Sequence, residues 1–217
     1  SLARLAMVPG RYPADRIVIS LGLADSPFTD SEAQTWRLER DSLRRQFEER
    51  VKPRLGGHNG PHFSVFAFAP QPLLMELGRL LSDIPAADVF HLHREPQSWR
   101  WREHPENFEY TIRQPSTPGG SVALNLSLSA AIAQERIDDV LGCPNSTWTL
   151  TVPETGNDFL QSSQQLRMFR RALRETLALV KAGHPEAKVL HVSPAVPNSA
   201  AVEVGRVWMP KADLPLR

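Results

Sequence analysis

Hydrophobic and polar positions alternate between two periods along the chain, and this switching outlines its elements. Short β-rich runs at residues 16–23, 62–69 and 87–94 read as buried strands. Between the first two lies a helical stretch over about residues 31–55. Its apolar positions Trp36, Leu43, Phe47 and Val51 recur on one face, and Gly56-Gly57 stops it. Pro70-Gln71-Pro72 opens a second helix that runs from Leu73 to about Leu81. The second half repeats the alternation. Residues 121–128, 146–152 and 188–193 read as strands. Residues 131–141 form a short helix, and 162–182 a long one with Leu166, Phe169, Leu173, Leu177 and Val180 on one face. Pro197-Asn198-Ser199 opens the last helix.

The halves align at one block. Pro70 matches Pro197, Glu76 matches Glu203, and Gly78-Arg79 matches Gly205-Arg206. Each block follows a strand that itself follows a long helix, so the pattern is a duplication, with the first copy lacking a small helix and a strand. The expected fold class is α/β: two Rossmann-like subdomains, residues 1–118 and 119–217, each a mainly parallel sheet flanked by helices. Ligands of such sheets sit beyond the carboxyl ends of the strands, where helix N-termini present free N–H groups. Two such mouths side by side suit a ligand with ring or twofold symmetry and several phosphates.

Composition narrows this little. The 217 residues are 41% hydrophobic and 23% charged, as for an ordinary folded chain, and the net charge of +1 supplies no global field toward duplex DNA or a membrane. A single cysteine, Cys143, excludes an internal disulfide, and no apolar run is long enough to span a bilayer, so a cytoplasmic location is expected. The chain starts at Ser1 without Met and stops at Leu214-Pro215-Leu216-Arg217, where a strand is beginning; it reads as a piece of a longer protein. Dinucleotide-fold, phosphate-loop and nucleophile-elbow glycine motifs are all absent from the sequence, which disfavours oxidoreductase, nucleotide hydrolase and serine hydrolase chemistry.

The blocks Ser64 to Gly78 and Val192 to Gly205, the strand end Ser127-Leu128-Ser129-Ala130, and the segment His91-Leu92-His93-Arg94 through Trp99-Arg100-Trp101 together resemble the SAVED domain, a fusion of two CARF-like nucleotide-sensor folds. The resemblance covers the chain from about Arg16 onward and departs from the pattern after Pro210, where the final strand is incomplete. It implies a sensor of a cyclic di- or trinucleotide in bacterial antiphage signalling, or of cyclic oligoadenylates in CRISPR signalling. It also implies an attached effector such as a nuclease, absent from this sequence, and a homo-oligomer formed on ligand binding. No cofactor, metal or membrane partner is expected.

Candidate ligand contacts follow from the strand ends. Ser127 and Ser129 can hold a phosphate or a base edge, or cap the helix before Ala131. Gly22 lets a ligand approach the backbone, and Asp25 can accept from a base or a ribose, or act as a plain turn former. Pro70 and Gln71, and Pro197, Asn198 and Ser199, sit at the two strand–helix junctions, where free N–H groups favour anions and the amides read base edges. Trp99 and Trp101, flanked by Arg94, Arg100 and Arg102, suit base stacking worth about 1–3 kcal/mol per base, or else mark an edge strand with a buried indole. Gly78-Arg79 and Gly205-Arg206 suit close helix–sheet packing and ion pairs. The arginines of the long helices, at 37, 40, 44 and 45 and at 167, 170, 171 and 174, suit solvated faces or an oligomer contact. Arg supplies 21 of the 25 basic residues, which fits phosphate recognition and also GC-rich codon usage. His91 and His93 share a strand face without a third metal ligand at a recognisable spacing, and Cys143 has no partner base. A phosphodiesterase that cleaves its own cyclic ligand, and a scaffold that only assembles subunits, remain alternatives.

Overall fold

A computed structural model describes residues 18–22, 33–55, 62–82, 86–116, 119–142 and 144–217. The expected helix stop at Gly56-Gly57, together with Asp25 and Cys143, lies outside them. Helix α1 (Ala33–Gln46) continues through a π-helical turn at Phe47–Val51 into a 3₁₀ turn at Lys52–Arg54. There follow β1 (Phe63–Phe66), α2 (Gln71–Leu81), β2 (Ala87–Phe90), β3 (Thr111–Arg113), β4 (Ser121–Ser127), α3 (Gln134–Leu141), β5 (Asn145–Thr151), α4 (Ser163–Gly183), β6 (His191–Ala195) and α5 (Asn198–Val207). Residues 18–22 carry no strand, a correction to the expected strand there, although Ile19 and Leu21 pack on the core. No described helix is long and apolar enough to cross a membrane.

Two separate sheets form. In the first, β1 and β2 pair in parallel. The second runs β3-β5-β4-β6, parallel except for β3, which joins its edge antiparallel to β5. The fold is therefore two Rossmann-like units with mainly parallel sheets. Strand β4 has neighbours on both sides and is buried along nearly its whole length, as its apolar Val122-Ala123-Leu124 run requires. Leu124, Leu126, Leu150, Phe169 and Leu173 form the interior, with α4 laid across it. A capping box fixes the start of α4: Ser162 accepts from the Gln165 N–H, and the Gln165 side chain accepts from the Ser162 N–H. At the chain end, Leu190 and Leu216 bridge in parallel, so the last residues add to the edge of β6.

The duplicated block becomes a helix crossing. Gly78 of α2 lies against Val202 of α5, and Gly205 of α5 lies against Met75 of α2, backbone to backbone. The glycines thus serve a helix–helix approach rather than the expected helix–sheet one. The acidic and basic partners repeat as well. Glu76 takes Arg79 and, from α1, Arg44, each at 2.6 Å. Glu203 takes Arg206 and, from α4, Arg170, each at 3.2 Å. Arg206 also donates to the carbonyls of Ser82 and Ala87 in the first unit, so its guanidinium joins the units by hydrogen bonds.

The two carboxylates titrate in opposite directions. Burial pushes Glu76 up, but Arg79 and Arg44 together outweigh it and hold its pKa below the ordinary value. Glu203 is deeper, and there burial outweighs Arg206 and Arg170 and raises the pKa. A raised folded-state pKa gives stability that is complete below the unfolded value near 4.5 and is lost as pH rises through the folded value. The difference in urea midpoint between wild type and Glu203→Gln should therefore shift in the variant's favour as pH rises from 4 to 7. A pH-independent difference refutes the assignment.

Candidate functional site

A cavity of about 580 Å³ lies where the two sheets end side by side. Its walls come from the segments just past the carboxyl ends of β1, β2, β4, β5 and β6, the place where open parallel sheets bind ligands. From the first unit come Phe68 and Gln71, then His91, Leu92, His93, Arg94 and Gln97. From the second come Ser129, Asn157, and the turn Ala195 to Asn198. Residues 93–98 form a small hairpin closed by paired His93 and Ser98 backbones, which carries Arg94 and Gln97 to the cavity. Among the described residues Arg94 is the only cation in the lining and no carboxylate lines it. Among the described residues no group of three or more metal-ligating side chains exists.

The helix starts differ as donors. In α5 the first backbone bond is from the Ala201 N–H to the Pro197 carbonyl, at 2.9 Å, so among the described residues no backbone carbonyl accepts from the N–H groups of Asn198, Ser199 and Ala200, of which Asn198 lines the cavity. In α2 Pro72 has no N–H, and the Leu73 N–H is taken by the Pro70 carbonyl at 3.0 Å, which leaves only that of Gln71.

Two histidines make an uncharged part of the wall. Burial, with repulsion from His93 and from Arg102 and Arg94, pushes His91 down to about 4 against the attraction of Asp158. Burial and Arg102 lower His93 too. Both rings are neutral at neutral pH. His91 Nδ1 lies 3.3 Å from the Ser199 hydroxyl. The imidazole of His93 is wholly buried, and a contact with the Arg100 backbone offsets only part of the lowering.

Of the candidates read from sequence, Gln71, Arg94, Ser129, Pro197 and Asn198 line this one cavity. The others lie elsewhere. Gly22 is tied through its N–H and carbonyl to the amide of Gln46 on α1. Pro70 is exposed at the N-cap of α2, beside Gln71. Ser127 is buried; it donates to Asn125 and accepts from the Ile132 N–H, and so holds the 128–133 loop instead of capping α3, whose N-cap is Ala133. Ser199 is buried beneath the wall, on His91. Trp99 packs edge-on to Phe66, with centroids 5.1 Å apart, and Trp101 stacks on His91 from behind the wall at 6.3 Å. The ring presented to solvent is instead Phe68, 80% exposed. Phe68, His91, His93, Gln97 and Asn157 were not picked out as ligand contacts. Their shared signal is position, each standing one to seven residues past the end of a parallel strand.

The family described as "SMODS-associated and fused to various effectors sensor domain" matches residues 43–217. The chain belongs to the SAVED family. No curated relative matches it by sequence. Among solved structures, this SAVED domain is similar to the Acinetobacter baumannii Cap4 SAVED/CARF-domain containing receptor with the cyclic trinucleotide 3'3'3'-cAAA. The TM-score is 0.58 at 12% identity over 93% of this chain and 48% of that one. The same receptor with 2'3'3'-cAAA gives 0.53 at 13% identity, over 76% and 37%. A further structure of the receptor gives 0.52 at 13%, over 86% and 42%. The chain thus spans less than half the length of these receptors, and the likeness is one of fold.

Proposed function

We propose that this SAVED domain is the receptor for a cyclic oligonucleotide second messenger, a cyclic di- or trinucleotide. The ligand bridges units 1–118 and 119–217 and regulates an attached effector, such as a nuclease, in cytoplasmic antiphage defence. What carries the reading is the shared cavity: both units line it from their strand ends, and among the described residues it offers a cation, free helix N–H groups and amides but no carboxylate. Anionic oxygens suit Arg94 and the start of α5, while base edges suit the amides of Gln71, Gln97, Asn157 and Asn198. The cyclic trinucleotides of the structurally similar Cap4 receptor belong to the same ligand class. The energy for switching is the ligand's preference for one relative pose of the units, and subunits assemble on the liganded form.

Calorimetry against cyclic di-, tri- and tetranucleotides tests this, with affinity tighter than about millimolar expected for at least one ring. The same mixtures, analysed for linear products, should return intact ring. Linear product would show instead a phosphodiesterase. Arg94→Ala should weaken the best ring about tenfold, since it removes one charge-assisted contact from a half-open wall, and should leave the melting temperature within about 2 °C. Unchanged affinity would remove Arg94 from the site.

A further inference from the structure

The two mouths of the cavity are not chemically equivalent, and Gln71 makes the difference. Its Nε2 donates to the Val196 carbonyl of the other unit at 2.7 Å. A carbonyl only accepts, so the nitrogen of the amide must face Val196 and its orientation is settled. Gln71 lines the cavity, and among the described residues its Oε1 has no hydrogen-bond partner. A lone amide oxygen pairs with a donor and with nothing else; phosphate oxygens, which only accept, are repelled from it.

The surroundings agree. The start of α2 has one free N–H where the start of α5 has three, so an anion sits better at α5. His91 is neutral and adds no charge. Phe68, three residues before Gln71, turns an exposed ring to the same cavity and gives a base a face to stack on. We propose that Gln71 is a specificity-determining residue: its Oε1 accepts from the exocyclic amine of a base stacked on Phe68, and so selects rings carrying amino-bearing bases over rings whose bases present a carbonyl there. This rests on the receptor reading above and adds to it which base edge is chosen and by which atom.

The test compares the 3'3'3' ring of three adenosines with the ring of three inosines. The two differ at the amine, which becomes a carbonyl, and at the adjoining ring nitrogen, and their ribose hydroxyls and phosphates are the same. Wild type should bind the adenosine ring about tenfold or more tightly than the inosine ring. Gln71→Met, which has no acceptor oxygen, should bring the ratio to within about twofold of unity, with the circular dichroism unchanged. The ratio is the readout, and a merely structural role for Gln71 would lower both affinities and leave it untouched. Equal binding of the two rings by wild type, or a preference that survives in Gln71→Met, overturns the assignment and leaves the receptor standing. Failure of wild type to bind any cyclic oligonucleotide overturns both.

Discussion

Gly205→Ala should destabilise the protein by about 3 kcal/mol or more, a large effect for adding one carbon. A Cβ at 205 would stand 1.8 Å from the Met75 carbonyl oxygen and 2.6 Å from the Arg79 nitrogen, and both are backbone atoms of α2 that no rotamer change can clear. The reverse contact is as close: a Cβ at Gly78 would stand 1.9 Å from the Val202 oxygen. The helices would have to separate, which disturbs the buried Glu203–Arg206 pair and the carbonyls that Arg206 holds across the units. Gly156→Ala is the control. Nothing lies within 4 Å of its added carbon, so it should change stability by less than about 0.5 kcal/mol. Urea unfolding of the two variants decides the matter. A loss below about 1 kcal/mol for Gly205→Ala would show that α2 and α5 are not locked at this crossing. The consequence reaches function, because about two turns before each glycine the same helices begin at Gln71 and Asn198, both of which line the cavity.

Much of this was legible in the sequence because it is local or repeated. The helical readings placed α2 and α4 to within about two residues, and the opening of α5; the expected run to about residue 55 continues past α1 as π and 3₁₀ turns, and the twice-written Pro-to-Gly-Arg block marked both junctions that meet at the cavity. What was not legible depends on partners distant in sequence. Arg44 and Arg170 looked like solvated helix faces, since nothing local shows that Glu76 and Glu203 come to meet them. Alternation put Trp99 and Trp101 on one side of an extended chain, but period alone does not say which side faces solvent. Phe66 and the two histidines take up the indoles, and Phe68 is left in the open. Ser127 and Ser129 looked equivalent as strand-end hydroxyls. Ser127 points to the loop that follows, and Ser129 reaches the cavity. Residues 16–23 read as a strand because β propensity is indifferent to whether an edge is available to pair with, and the described part, 18–22, lies on the core unpaired.

Asn198→Asp should separate binding from stability by moving them in opposite directions. Asn198 is the first residue of α5, lines the cavity, and stands beside three N–H groups that no backbone carbonyl accepts. A carboxylate in the first turn of a helix is favoured by about 0.3–1 kcal/mol, so the variant should melt no lower than wild type. The same carboxylate occupies those N–H groups and faces any phosphate brought to them. Two unit charges about 4 Å apart near a protein surface repel by roughly 4 kcal/mol, and allowing for screening the ring of three adenosines should bind about a hundredfold more weakly. Asn198→Ala lacks the charge and should lose about tenfold at most. Because the new group is a carboxylate, lowering the pH from 7 toward 4 should restore part of the Asn198→Asp affinity and none of the Asn198→Ala loss. Raising salt should narrow the gap between the two variants for the same reason. If Asn198→Asp binds the ring as tightly as wild type, no phosphate sits at the start of α5, and the cavity must hold its ligand by base edges and Arg94 alone.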